Sequence, residues 1–173
     1  MNRTLRRLDS IHAKLLDTVN SIAEPVFSQS PAETEWSIAE IVHHLCLVEE
    51  RVIKDLEAEL QKPTRRIGFL RNFIPTSIVA SRLVRVKAPK AVIPLRPPAR
   101  AEVIANYDAA RTRLKELCST NGPNRLKQLV FKHPFLGEIN GLATVSFLGY
   151  HELRHYKQIR EVTKKLGHPT NNA

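Results

Sequence analysis

The chain is poor in glycine and in aromatic residues. Six glycines among 173 residues and an aromatic share of 6% leave an alphabet of Ala, Leu, Arg, Lys and Glu that leans towards helix. Only two cysteines occur, Cys46 and Cys118, and their spacing suits no metal site. Both fall in helical-looking segments and are expected as reduced core residues of a cytoplasmic protein. The N-terminal stretch MNRTLRRLDSIHAKLL has no long apolar run, so neither a signal peptide nor a membrane span is expected. Internal repeats, low-complexity tracts and convincing alternating strands are also lacking. At this length one domain over residues 1–173 is expected, large enough to bury a sizeable core.

Acidic residues are missing from one place. Residues 61–100 hold Lys62, Arg65, Arg66, Arg71, Arg82, Arg85, Lys87, Lys90, Arg96 and Arg100 and no Asp or Glu, which accounts for the whole net charge of +10. So local an excess suggests a partner surface or an anionic ligand, with a solvated basic loop as the alternative.

What is present is amphipathic periodicity. Leu5, Leu8, Ile11, Leu15, Val19 and Ile22 recur at three- and four-residue spacing and predict a first helix over residues 2–23, ended by Pro25 and a polar stretch. Ser37 and Glu40 form an S-x-x-E capping box. The second helix then runs to about Leu60, with Ile38, Ile41, Leu45, Val48, Val52, Leu56 and Leu60 buried. Residues 64–98 read as a basic, Pro-containing connection: one or two short helices broken at Pro75, then an extended run. A third helix follows Pro98 to Cys118, closed by Asn121-Gly122, and a fourth runs from near Asn140 to Leu166. The expected fold is all-α, a four-helix bundle with a long crossover between the second and third helices.

The fourth helix carries the chemistry. At about 100° per residue, Thr144, Phe147, Leu148, His151, His155, Ile159 and Val162 share one stripe. Two histidines stacked on an apolar stripe each need a partner and must stay neutral. A divalent ion meets both needs, because neutral imidazole is a good ligand for zinc, nickel or iron. In the second helix His44 lies at the edge of the Ile41–Leu45–Val48 stripe while His43 points away. His44, His151 and His155 would therefore give a three-nitrogen site with open positions, the pattern of a catalytic rather than a structural metal. A satisfied polar core is the competing reading.

His151-Glu152-Leu153-Arg154-His155 also spells H-E-x-x-H, the zinc-metallopeptidase signature. A third ligand downstream is hard to find. Glu161 lies about 120° round the same helix from His155, and His168 sits between Gly167 and Pro169. His44 is the better third ligand, so the peptidase reading is the weaker one.

Three motifs in order resemble one family. Trp36-Ser37-Ile38-Ala39-Glu40-Ile41-Val42-His43-His44-Leu45 is similar to the W-S-x-x-E-x-x-x-H-L helix start of the DinB-like superfamily. Phe131-Lys132-His133-Pro134-Phe135-Leu136-Gly137 resembles its F-x-H-P-x-x-G turn, and His151 to Ile159 its closing H-E-x-R-H-x-x-Q-I helix. The resemblance implies a four-helix bundle and a divalent metal, nickel or zinc in many members, bound at His44, His151 and His155. It further implies a metal-dependent enzyme using a low-molecular-weight thiol or water, of S-transferase or hydrolase type, with homodimers common.

Other residues have two readings each. Glu152 is a candidate base or a partner orienting a ligand imidazole, against a solvent-facing residue. Glu49 is expected to have a buried partner. Arg154 and Gln158 are candidate substrate contacts, against rim residues, and His133 a candidate at the site mouth. Trp36 reads as a hydrophobic staple, and His12 and His43 as surface or boundary residues. The expected ligands are a small anionic or thiol substrate, its carboxylates held by the basic segment. A non-catalytic metal-binding stress protein and a basic nucleic-acid- or membrane-binding module are the other classes. Nucleic acid is disfavoured because Phe69 and Phe73 are the only aromatics in the basic run.

Overall fold

The computed structural model of the chain describes residues 2–63, 76–80, 89–133 and 136–168. Its long elements are α1 (Asn2–Asn20), α3 (Ile38–Leu60), α4 (Arg100–Leu126) and α5 (Gly141–Lys165), with a short α2 (Glu24–Ser28) between the first two. They form the mostly helical four-helix bundle that the periodicity predicts, and residues 61–99 separate α3 from α4. No helix among the described residues is long and apolar enough to cross a membrane.

The ends follow from local chemistry. Ser37 Oγ accepts from the backbone N–H of Glu40 at 3.2 Å, and the Glu40 carboxylate accepts from the backbone N–H of Ser37 at 2.8 Å, so α3 starts at the expected capping box. Asn140 caps α5 by accepting from the N–H of Ala143 at 2.8 Å. α1 stops at Asn20, short of Ala23, and Pro25 starts the short α2 rather than simply ending a helix. Asn121-Gly122 breaks the helical backbone of α4 where expected, and a short further turn follows. Gly122 adopts φ 70°, ψ 167°, a backbone kink after which Pro123 restarts the helix to Leu126.

A strand pair also goes beyond the sequence reading. β1 (Val130–His133) pairs antiparallel with β2 (Gly137–Asn140), placing Phe131 opposite Ile139. Val130, Phe131 and Ile139 are the only apolar side chains on the two four-residue strands, too little alternation to stand out from sequence. The hairpin delivers the chain into α5 so tightly that a Cβ on Gly141 would lie 2.7 Å from the Leu126 carbonyl oxygen. Of the connection, Thr76–Ala80 and Lys90–Val92 are single 3₁₀ turns. The rest of the expected helices around Pro75 lies outside the described residues, as do Arg65, Arg66, Arg71, Arg82, Arg85 and Lys87.

The core is layered. One apolar cluster gathers Leu8, Ile53, Leu56, Leu114, Phe131, Ile139 and Leu148. A second gathers Leu15, Val19, Phe27, Ile38, Ile41, Tyr107 and Ile159. Between them lies a polar belt with one residue from each long helix: His12, Glu49, Arg111 and Glu152, all buried. Arg111 donates Nε and Nη2 to the two Glu49 oxygens at 2.7 and 2.9 Å, Nη2 to Glu152 at 3.1 Å and Nη1 to the Leu8 carbonyl at 3.0 Å. Arg111 is thus the buried partner expected for Glu49. His12 is a correction: only 8% exposed, it belongs to the interior and not to the surface. It lies four residues after Leu8 and three before Leu15, on the buried side of α1.

Candidate metal site

Three imidazoles converge where α3 meets α5. His44 Nε2 lies 3.4 Å from His151 Nε2, which lies 3.2 Å from His155 Nε2. One nitrogen from each ring falls within 4.8 Å of the other two. His44 and His155 are buried and His151 is half-buried, at the open side of the cluster.

The opposite ring nitrogens decide what these atoms can do. His44 Nδ1 sits 2.7 Å from the carbonyl oxygen of Val92, which can only accept, so Nδ1 carries the proton and Nε2 presents a lone pair. His155 Nδ1 lies 2.9 Å from Gln158 Oε1, which imposes the same tautomer. Two lone pairs therefore face the His151 Nε2 atom, whose single proton can satisfy only one of them. A cation satisfies all three nitrogens. The spacing agrees: nitrogens about 2.0–2.1 Å from a tetrahedral ion lie about 3.3 Å apart, against 3.2 and 3.4 Å between these pairs. The cluster thus fits a divalent ion of the zinc, nickel or iron type.

The electrostatics disfavour charge on two of the three rings. Burial pushes His151 well below the ordinary histidine value, helped by the neighbouring His155 and His44 rings. Burial also lowers His44, against the opposing hydrogen bond that it donates to the Val92 carbonyl. Aromatic rings wall the cluster. Trp36 lies 4.9 Å from the His44 ring and stacks on His155 at 6.5 Å, and Phe147 stacks on His151 at 5.3 Å. Trp36 thus borders the site, beyond the staple role expected of it.

The remaining candidates separate. Glu152 is fully buried, not solvent-facing. Its Oε1 accepts from the Tyr107 hydroxyl at 2.6 Å and lies 3.0 Å from His12 Nδ1, while Oε2 meets Arg111. Its carboxylate belongs to the polar belt. Gln158 touches the His155 imidazole, and Arg154 is half-buried close enough to His151 to influence its charge. His133 packs edge-on against Phe147 at 4.5 Å, and its Nδ1 accepts from the N–H of Leu136 at 3.1 Å. His43 is half-buried beside the cluster but outside it. Arg100 is committed to structure: it donates to the Ile22 carbonyl at 2.7 Å, pairs with Glu24 and stacks on Phe27. Cys46 and Cys118 are free and buried, with burial pushing their thiols up to about 12 and about 11, inert as nucleophiles.

The backbone carbonyl of Val92 is the site component that sequence reading missed. Nothing in a side-chain pattern announces a main-chain acceptor.

Comparisons with known proteins agree with the fold. A family model described as the DinB superfamily matches residues 7–159. YuaE of Bacillus subtilis (strain 168), itself uncharacterised, is 23% identical over 150 residues, which cover 86% of this chain and 90% of YuaE. TT2238, a four-helix bundle protein, superposes with a TM-score of 0.63 at 23% identity, over 92% of this chain and 98% of that one. YfiT from Bacillus subtilis, a probable metal-dependent hydrolase with an unusual four-helix bundle topology, gives a TM-score of 0.67 at 17% identity, over 96% and 87% of the two chains.

Proposed function

The chain belongs to the DinB superfamily, and from that footing we propose that it is a divalent-metal-dependent enzyme of hydrolase or thiol S-transferase type. The observation that carries the reading is the tying-off of His44 and His155. Val92 and Gln158 hold the protons of both rings outward, leaving their Nε2 lone pairs aimed beside that of His151. The likeness to YfiT supports metal-dependent hydrolysis in particular.

A divalent ion held there supplies Lewis acidity towards a water or a small thiol. The chain's own residues do the rest. His44, His151 and His155 bind through neutral imidazoles. Val92 and Gln158 orient two of them, and Trp36 and Phe147 wall the cluster with apolar surface that displaces water. Arg154 supplies a positive charge near His151 for an anionic part of the substrate. The peptidase reading loses its key residue, because the carboxylate of Glu152 is held by Tyr107, His12 and Arg111 in the belt.

Elemental analysis of untagged protein tests this directly, with wild type beside His44→Ala. About one equivalent of metal in wild type, lost in the variant, is expected. Wild type that stays metal-free after dialysis against zinc or nickel would sink the proposal.

A further inference from the structure

A cavity apart from the histidines lies where α1 meets α5. It sits between the start of α1 and the first half of α5, has a volume of about 260 Å³ and is floored by Leu8 and Gly149. Arg3, Thr4, Arg7, Ser146 and Tyr150 line it. At about 100° per residue, Ser146, Gly149 and Tyr150 lie on the side of α5 turned away from His151 and His155. The cavity is therefore separate from the histidine cluster and does not depend on the metal reading.

Its charge is unusual for its position. Arg3 and Arg7 are four residues apart on one helix face, where like charges repel. Both stand in the first two turns of α1, where the helix dipole favours anions and disfavours cations. Among the described residues no acidic side chain lines the cavity and neither arginine makes an ion pair. The nearby carboxylates are engaged elsewhere: Asp9 pairs with Lys115, and Glu152 points into the polar belt. Arg7 is also held in place, with its guanidinium 3.9 Å from the centre of the Tyr150 ring. A local rule broken twice, with no carboxylate among the described residues to offset it, marks a site kept for a ligand.

We propose that this cavity binds a phosphomonoester. Two guanidinium groups match a dianion and offer forked N–H donors to its oxygens, and the hydroxyls of Thr4 and Ser146 stand at the same cavity, the Ser146 oxygen accepting from Thr76 at 3.4 Å and so leaving its own proton to donate. The group belongs to a small phosphorylated molecule or to a lipid headgroup of the phosphatidic acid kind, since the recognition chemistry is the same.

Calorimetric titration of the full-length protein with inorganic phosphate tests it. Saturable one-to-one binding is expected, weakened at least tenfold in Arg7→Lys, which loses the fork, and abolished in Arg3→Ala/Arg7→Ala. Both arginines are exposed, so the variants should keep their folds, which circular dichroism melts would verify. Lys14→Ala, an exposed cation of α1 outside the cavity, should bind like wild type. Equal weakening by Lys14→Ala would reduce the effect to diffuse charge and overturn the site. Binding that His44→Ala removes would place the phosphate at the histidines and overturn it too. Sedimentation with phosphatidylcholine vesicles containing phosphatidic acid separates the sources. Vesicle binding competed by inorganic phosphate assigns a headgroup, and absence of vesicle binding with retained phosphate binding assigns a soluble ligand. Absence of both would end the proposal.

Discussion

His155 donates its Nδ1 proton to Gln158 Oε1 at 2.9 Å, one turn further along α5. The bond fixes which nitrogen of His155 faces His44 and His151, so Gln158 would act on a metal held there without touching it. Loss of such an outer partner typically costs 10–100-fold in metal affinity. Gln158→Leu should weaken zinc binding by about that factor, read by competition with a chelator of known affinity. Gln158→Glu keeps an acceptor at the same place and should retain tight binding. Equal affinity in Gln158→Leu and wild type would show that the bond does not orient the ring.

Metal should also stabilise the fold. Ligands from α3 and α5 are brought together only in the folded chain, so the ion binds the native state in preference. At a hundredfold excess over its dissociation constant a ligand adds about 2.7 kcal/mol, which for a domain of this size raises the melting temperature by roughly 5–10 °C. Zinc or nickel added to stripped wild type should give that shift in a thermal melt, and His155→Ala should give none. A shift of the same size in the variant would move the ion to other ligands.

Helical spacing made the bundle and the histidine cluster legible. A helix repeats its faces every three or four residues, and His44, His151 and His155 all lie on or beside apolar stripes. The polar belt left a similar trace. His12 falls between Leu8 and Leu15, Glu49 between Leu45 and Ile53, Arg111 between Tyr107 and Leu114, and Glu152 between Leu148 and Ile159. A charged or titratable residue within an apolar stripe on four helices signals a buried network, but which charges meet depends on helix packing. Val92 left no trace, because its contribution is a carbonyl oxygen that every residue possesses.

His12 should make stability fall on the alkaline side. Both its ring nitrogens face carboxylates, Glu152 at 3.0 Å and Asp108 at 2.6 Å, a geometry that calls for the doubly protonated ring. Burial and Arg111 work against the charge, but Glu152 and Asp108 outweigh them and hold the pKa above the ordinary 6.5. A raised folded-state value contributes stability that is fully present below the unfolded pKa and is lost as pH rises through the folded one. Urea unfolding of metal-free protein should therefore show wild type losing stability above pH 6.5 more steeply than His12→Gln. Parallel profiles for the two proteins would remove His12 as the cause.

Arg111 is the keystone of the belt, because it joins the carboxylates of Glu49 and Glu152 and the carbonyl of Leu8 through four hydrogen bonds. Its own burial is unfavourable, and the gain from pairing largely offsets that cost, so the network is no simple source of stability. Removing one partner is another matter, since Arg111→Met leaves the buried Glu49 carboxyl without its cation, so that it must either stay charged at high cost or take up a proton. The expected loss is about 3–5 kcal/mol, seen as a lower urea midpoint with an unchanged slope. Glu49→Gln relieves the orphaned charge, so the double variant Arg111→Met/Glu49→Gln should lose less than the two singles added together, by about 0.5–3 kcal/mol. Strict additivity would mean that the two residues do not couple, and that the contact holding α3 to α4 in the middle of the bundle is apolar packing alone.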